Sequence, residues 1–135
     1  MNTYMYLITP FFAWLVCGIT KFLINCIKEK RLAFDLIGYG GMPSNHSTIV
    51  SSMVSFIAFK EGIDTPAFGV ALTVAFIVIL DANSLRKQVG KHAQAINQLK
   101  HYQGEKLRER VGHSKLEILC GILLGCYIGM IISFF

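Results

Sequence analysis

Four apolar runs, each close to the length of one membrane crossing, constrain this chain more than any other feature. Residues 4–27 read YMYLITPFFAWLVCGITKFLINCI, broken only by Lys21. Residues 43–60 read PSNHSTIVSSMVSFIAFK, 66–85 read PAFGVALTVAFIVILDANSL, and 114–135 read SKLEILCGILLGCYIGMIISFF. A spanning helix needs about 20 predominantly apolar residues. The second run is the shortest and is polar on one side. Composition agrees: 53% of the 135 residues are hydrophobic and 16% charged, against about 45–50% and 25% in soluble domains. The expected architecture is all-α: a polytopic membrane bundle of about four transmembrane helices, residues 1–135 forming one membrane-embedded domain.

Punctuation refines these runs. Pro43 and Pro66 suit the first helical position, where a missing N–H costs nothing. Pro10 lies inside the first run and predicts a kink or a late start. Residues 61–65 (EGIDT) form a tight turn, and 29–42 a longer loop with three glycines. The polar stretch 86–113 continues the third helix to about Leu99, with Gly104 expected to break it. No lysine or arginine precedes Lys21, so the first run lacks the basic start of a cleaved signal peptide. Cys17, Cys26, Cys120 and Cys126 lie in or beside apolar runs with no C-x-x-C pair, which reads as small apolar filler.

The basic residues orient the bundle. Lys28, Lys30 and Arg31 flank the 29–42 loop. Arg86, Lys87, Lys91, Lys100, Lys106, Arg108, Arg110 and Lys115 populate the 86–115 stretch. The other side holds only Lys60. That asymmetry places both long connections in the cytoplasm and both termini outside. The net charge of +5 therefore reads as orientation and attraction to anionic lipid rather than nucleic-acid binding.

With that topology, four segments bring their unusual polar residues to one membrane level: Lys21 in the first helix, GGMPSNHS (40–47), DANSLRK (81–87) and GHSKLE (112–117). Ionisable groups within spans are costly and face a protein interior or a water-filled cavity. Pro43 at the first helical position would leave the N–H groups of Ser44, Asn45 and His46 free. Free amides at a helix N-terminus favour phosphate. Lys21, Arg31, Arg86 and Lys87 add charge, and His46 and His113 supply groups for proton or nucleophilic work near neutral pH.

Structural readings stand beside these. SKLE (114–117) is a capping box, with Ser114 as cap and Glu117 reaching back; His113 then lies just outside the helix and only loosely faces Glu117. Gly121, Gly125 and Gly129 continue the spacing of four from Glu117 as a helix-packing face. Ser47, Ser51, Ser52 and Ser55 read as packing and interhelical bonding residues. Asp81 can pair with Arg86 or Lys87. Residues 86–100 can be a solvated helix face, with His92 and His101 on the surface, and Gly40 and Gly41 can be only a turn.

GGMPSNHS, DANSLRKQVGKHAQAIN and ERVGHSKLEILCGILLG, in that order, resemble the divergent branch of the type 2 phosphatidic acid phosphatase superfamily. That branch is related to acid phosphatases and vanadium-dependent haloperoxidases. The resemblance runs from about Trp14 to Gly125. It implies a lipid phosphate or diphosphate phosphatase with no metal and no cofactor, in a bacterial inner (plasma) membrane. It also implies roles: His113 as nucleophile, Glu117 as its orienting carboxylate, and His46 as general acid. Ser44, Asn45 and neighbouring amides would hold the phosphate with Lys21, Arg31, Arg86, Lys87 and Arg110. Asn45 stands where the superfamily motif has glycine, and Glu117 where it has aspartate. The arginine six residues before the nucleophile falls at Leu107, with Arg108 and Arg110 out of register.

Two functions follow from the same pocket. One is hydrolysis of a membrane lipid phosphate through a phosphohistidine, at the cytoplasmic face. The other is a non-catalytic protein that binds or moves lipid phosphates in a relic anion pocket. A bundle this small is also compatible with a homodimer.

Overall fold

The computed structural model describes residues 4–36, 41–99, 101 and 103–135. Gly40, from the expected turn, and Lys100, from the basic stretch, lie outside the described residues. The described residues form five α-helices: α1 Tyr4–Glu29, α2 Asn45–Lys60, α3 Pro66–Asn83, α4 Leu85–Asn97 and α5 Lys115–Ile132. A single 3-10 turn, Phe34–Leu36, follows α1. Among the described residues there is no strand, so the expected all-α membrane bundle is what the chain adopts.

Among the described residues three helices are long and apolar enough to cross a membrane: α1, α3 running on through α4 (Pro66–Asn97), and α5. The fourth expected span, α2, has 16 residues, a length of about 24 Å at 1.5 Å per residue. It is the centre of the bundle, packed against α5, α3 and α1. Its buried groups are largely hydroxyls, Ser47, Thr48, Ser51, Ser52 and Ser55, with Phe56 and Ile57 at its far end. The hydroxyls of Ser47, Thr48, Ser52 and Ser55 are satisfied locally or across the seam. Thr48 Oγ1 donates to Ser44 O at 2.9 Å, and Ser55 Oγ to Cys126 O at 2.8 Å. The large apolar side chains of α1, α3 and α5 instead point outward; Leu7, Phe11, Val70, Phe76 and Leu123 are all well exposed. That outward apolar shell is what lipid requires.

The α2–α5 seam depends on the glycine spacing. A Cβ at Gly121, Gly125 or Gly129 would run into the carbonyl oxygens of Ser44, Thr48 and Ser52 respectively. Glycine there lets two backbones approach closely. The end of α2 remote from Asn45 is tied by Tyr6 OH donating to Glu61 (2.5 Å) and Lys60 Nζ donating to Ser133 O (3.2 Å).

Several boundaries differ from expectation. Helix α1 begins at Tyr4 and runs through Pro10, with no late start. Ser44, not Pro43, begins α2: Ser44 is the N-cap, its hydroxyl accepting from Ser47 N. Pro43 thus precedes the cap, and the Ser44 N–H is not free, because it donates to Glu117 O at 3.0 Å. Pro66 occupies the first turn of α3 behind the Thr65 cap, as expected. Helix α4 ends at Asn97, well before Gly104. The Asn97 side chain leaves the helix to bind the returning loop: Nδ2 donates to Leu107 O at 2.8 Å, and Oδ1 accepts from Leu107 N at 2.9 Å.

Candidate active site

The polar ends of four helices meet where α2 and α5 begin. Ser114 caps α5 by accepting from Glu117 N (3.2 Å), and Glu117 Oε2 accepts from Ser114 N (2.9 Å), completing the capping box. The same Oε2 lies 3.4 Å from His113 Nδ1. Capping and orientation therefore share one carboxylate, and the loose contact reflects His113 standing outside the helix. At 3.4 Å this is an ion-pair contact rather than a formed hydrogen bond, since N–H···O bonds centre near 2.9–3.0 Å. His113 Nδ1 indeed has no hydrogen-bond partner. With Nδ1 toward the carboxylate, Nε2 is the free nitrogen of that ring.

The loop carrying His113 is held on three sides. His113 N donates to Ala82 O at 3.2 Å. Gly112 adopts φ +99°, and a Cβ there would press on the backbone at Arg86 and Lys87. A Cβ at Gly90 would collide with Glu109 O, so the loop lies directly on α4. With the Asn97 clasp, these contacts fix a segment that has no regular structure of its own. Sequence reasoning missed Asn97, Gly90 and Gly112 as positioning residues. Gly112 is the one with a signal, a glycine beside a candidate nucleophile.

His46 sits in the first turn of α2, its ring centroid 6.4 Å from that of His113. The two rings are separated, not stacked. That suits a reacting group between them: a reacting atom sits about 3–3.5 Å from a nucleophile, and a leaving oxygen about 2.6–3.2 Å from its acid. His46 Nδ1 and Asn45 Oδ1 are buried and have no hydrogen-bond partner. Buried polar atoms are normally paired, so orphans need an explanation. Turning the Asn45 amide over would place Nδ2, a donor, at the orphaned position. Asn45 and His46 are the first two helical residues of α2, so their N–H groups have no intrahelical partner.

Lys21 is 8% exposed. No carboxylate lies within ion-pair distance of it among the described residues. Beneath the site, Cys17 is buried against Pro43 O and Thr48 Oγ1, a filler role as expected. The four cysteines are all free. Burial pushes the His113 imidazole below its ordinary pKa, and the Lys21 cation lowers it further; the Glu117 carboxylate pulls it back up without cancelling the effect. The Arg86 guanidinium also acts to lower it.

The other expected phosphate ligands divide. Arg86 lies near the histidines but also pairs with Asp81 (Nε to Oδ2, 3.1 Å). Lys87 Nζ donates to Asn83 Oδ1 at 3.2 Å. Arg110 is exposed, 3.8 Å from Glu117 Oε1. Arg31 is spent elsewhere, in an exposed two-pronged pair with Asp35 (2.7 and 2.9 Å). Ser44 is fully buried as the α2 cap, supporting the site from beneath. His92 and His101 are exposed, as expected of surface residues. Among the described residues no group of three His, Cys, Asp or Glu is placed to hold a metal.

Two cavities flank the histidines. A polar one of about 400 Å³ is lined by His113, Glu117, Ser114, Lys87, Lys91 and Arg110, among others. A mainly apolar one of about 420 Å³ lies along α1 and the 3-10 turn and has Lys21, Asn25 and Asn45 in its wall.

This geometry meets its comparison in the sequence. The model of the family described as "Divergent PAP2 family" matches residues 2–128. The chain belongs to the divergent PAP2 family. It is 27% identical to YuiD, an uncharacterized membrane protein of Bacillus subtilis (strain 168), over 96% of this chain and 94% of that one. No solved structure matches it. In this member of the divergent PAP2 family, both histidines and the carboxylate meet at one end of the bundle. The position expected for a superfamily arginine, Leu107, is instead fastened by its backbone to Asn97.

Proposed function

We propose that this membrane protein is a phosphatase acting on a lipid phosphate or diphosphate. The observation that carries the reading is the trio of orphaned atoms, His113 Nδ1, His46 Nδ1 and Asn45 Oδ1, gathered beside a buried lysine that has no carboxylate within ion-pair distance among the described residues. A phosphate supplies an acceptor for the His46 ring and, with its amide turned over, for Asn45, while the Glu117 carboxylate serves His113 Nδ1. Nε2 of His113 attacks phosphorus, the bond from phosphorus to the leaving oxygen breaks, and His46 gives that oxygen its proton. Glu117 closes on Nδ1–H and stabilises the charged imidazole. Water then attacks the phosphohistidine, and neutral His46 takes the water's proton. The P–N bond breaks and its electron pair returns to His113. Lys21, Arg86 and the first amides of α2 hold the phosphoryl oxygens throughout.

The test is phosphate release by purified protein from a panel of phosphatidic acid, phosphatidylglycerophosphate and polyprenyl phosphates and diphosphates. Turnover is expected, with His113→Ala abolishing it and removing any acid-labile phosphoenzyme. His46→Ala is expected to lose about 10²–10⁴-fold on lipid phosphates and much less on an activated aryl phosphate, whose leaving group needs little protonation. Wild-type release by His113→Ala overturns the mechanism. Vanadate binding without turnover on any member of the panel favours the non-catalytic reading, for which the leucine at 107 is the supporting feature.

The same reading places the site at the cytoplasmic face of a bacterial inner membrane, with both termini outside. Its support is the basic asymmetry. In a variant without native cysteines, an impermeant thiol reagent applied from outside should reach a cysteine at Asp64 and not one at Gln98; the reverse moves the site to the other face.

A further inference from the structure

Resting on the phosphatase reading, we infer that the apolar groove between α1 and the 3-10 turn holds the hydrocarbon chain of the substrate, on the leaving-alcohol side of the phosphate. Phe22 and Phe34 close one wall, their ring centroids 5.1 Å apart. Ala33 anchors the turn: it is buried, and its N–H meets Cys26 Sγ at 3.4 Å. Trp14 and Gly18 extend the floor along α1. A Cβ at Gly18 would meet nothing within 4 Å, so the missing side chain leaves real space. From Trp14 to Lys21 this floor runs about 10 Å at 1.5 Å per residue.

The groove commits to a lipid tail rather than another occupant because of what stands in its wall. Lys21, 8% exposed, and Asn45, with its orphaned amide atom, join a lining that is apolar apart from them and Asn25 to the phosphate site. An occupant must therefore be apolar along α1 and anionic where α2 begins, in one molecule. Trp14, Leu15, Ile19 and Phe34 are each more than half exposed on a membrane-crossing helix or beside it, so entry is sideways from the bilayer. Small-molecule sites of about 300–1,000 Å³ are usual, and about 420 Å³ admits one chain rather than a helix of another protein.

The arrangement also gives the displacement a direction. His113 lines the polar cavity, whereas Asn45, the neighbour of His46, lines the apolar one. His113 attacks from the side of the polar cavity, and water later attacks opposite the P–N bond, from the side that the alcohol has left. The alcohol that His46 protonates departs into the groove with its chain. The ligand class is thus a phosphate monoester or diphosphate of a single long-chain alcohol at the reacting bond.

The experiment uses dodecyl phosphate carrying a photoreactive diazirine at its far carbon, with the full-length protein in bilayers. Labelled residues, read by mass spectrometry, should fall within 14–22 and 33–36 and be competed by unlabelled dodecyl phosphate. Gly18→Leu should reduce this labelling at least tenfold and lower the ratio of kcat/KM for dodecyl phosphate over ethyl phosphate at least tenfold. Gly69→Leu, at an equally open glycine on the outer face of α3, should change neither. Labelling spread over the lipid-facing helices, or undiminished by Gly18→Leu, overturns the groove. The wild-type labelling map answers even where a variant fails to fold. Groove labelling without hydrolysis of either ester retains the tail site and rejects the phosphatase reading; hydrolysis with labelling elsewhere does the reverse.

Discussion

On the α5 side of the site, glycines 121, 125 and 129 stand where any Cβ would strike the backbone of α2. On the α1 side, Gly18 has nothing within 4 Å. The same residue type thus does opposite work on the two sides of the site. The α5 wall is closed, and its closeness sets the register between the two helix starts that carry His46 and Glu117. Ser44 N reaches Glu117 O at 3.0 Å only because Gly121 lets the backbones touch. The α1 wall is left open for something that is not protein. Catalytic groups need fixed geometry, whereas a hydrocarbon chain needs only volume. The two walls separate those demands.

Exchanging the glycines is the most direct way to break this comparison. Gly125→Ala puts a methyl against Thr48 O, the Ser51 Cβ at 2.9 Å and Ser52 N at 3.0 Å. Two of those three are backbone atoms that cannot swing aside. Overpacking of this kind costs about 1–3 kcal/mol or more, which exceeds the roughly 1 kcal/mol of helix propensity that alanine gains over glycine. Thermal unfolding in detergent should therefore show Gly125→Ala below wild type. Gly18→Ala gains the propensity without the clash, so it should unfold at or above the wild-type temperature. Equal midpoints for the two variants would mean that the seam is looser than its distances say.

Much of the closed wall was legible in the sequence, and little of the open one. Glycines four apart in an apolar run point to a packing face, and SKLE announces a capping box; both are local patterns with a physical reason. The spans and the basic asymmetry set the His46 and His113 segments at one membrane level although 67 positions separate them, and the resemblance gave each its role; the 6.4 Å between their rings is set by the fold. The start of α2 was misplaced by one rule competing with another. Pro43 suits a first helical position, but Ser44 has a hydroxyl that can accept from Ser47 N, and the cap preference prevailed. Arg31 was drawn to the phosphate by its charge, yet Asp35, four residues on, was a nearer partner. Asn97 ended α4 early because its amide competes for backbone groups and found those of Leu107, which no local pattern could announce. The groove is a gap, and a gap between α1 and a turn leaves no periodic trace in sequence.

A smaller effect sharpens the electrical side of the comparison, because Lys21 belongs to the open wall and His113 to the closed one. Burial and the Lys21 cation together hold the His113 imidazole below its ordinary pKa, which is about 6.5. The folded protein therefore binds fewer protons here than the unfolded chain does. The stabilisation from keeping His113 neutral is fully present above about 6.5. It is lost as the pH falls from there through the depressed folded value. His113, the proposed nucleophile, stays neutral in the same range, so the acid limb of kcat/KM should lie below 6.5 rather than above it. Lys21→Met removes the cation but keeps much of the apolar stem, so the His113 pKa should rise and the acid limb move to higher pH. Lys21→Arg restores a cation and should move the limb back. Histidine NMR titration of the same variants reads the His113 pKa without requiring turnover. A limb that stays put in Lys21→Met, with an unmoved His113 resonance, would mean that burial alone depresses the nucleophile. Lys21 would then act on the phosphate and not on the histidine.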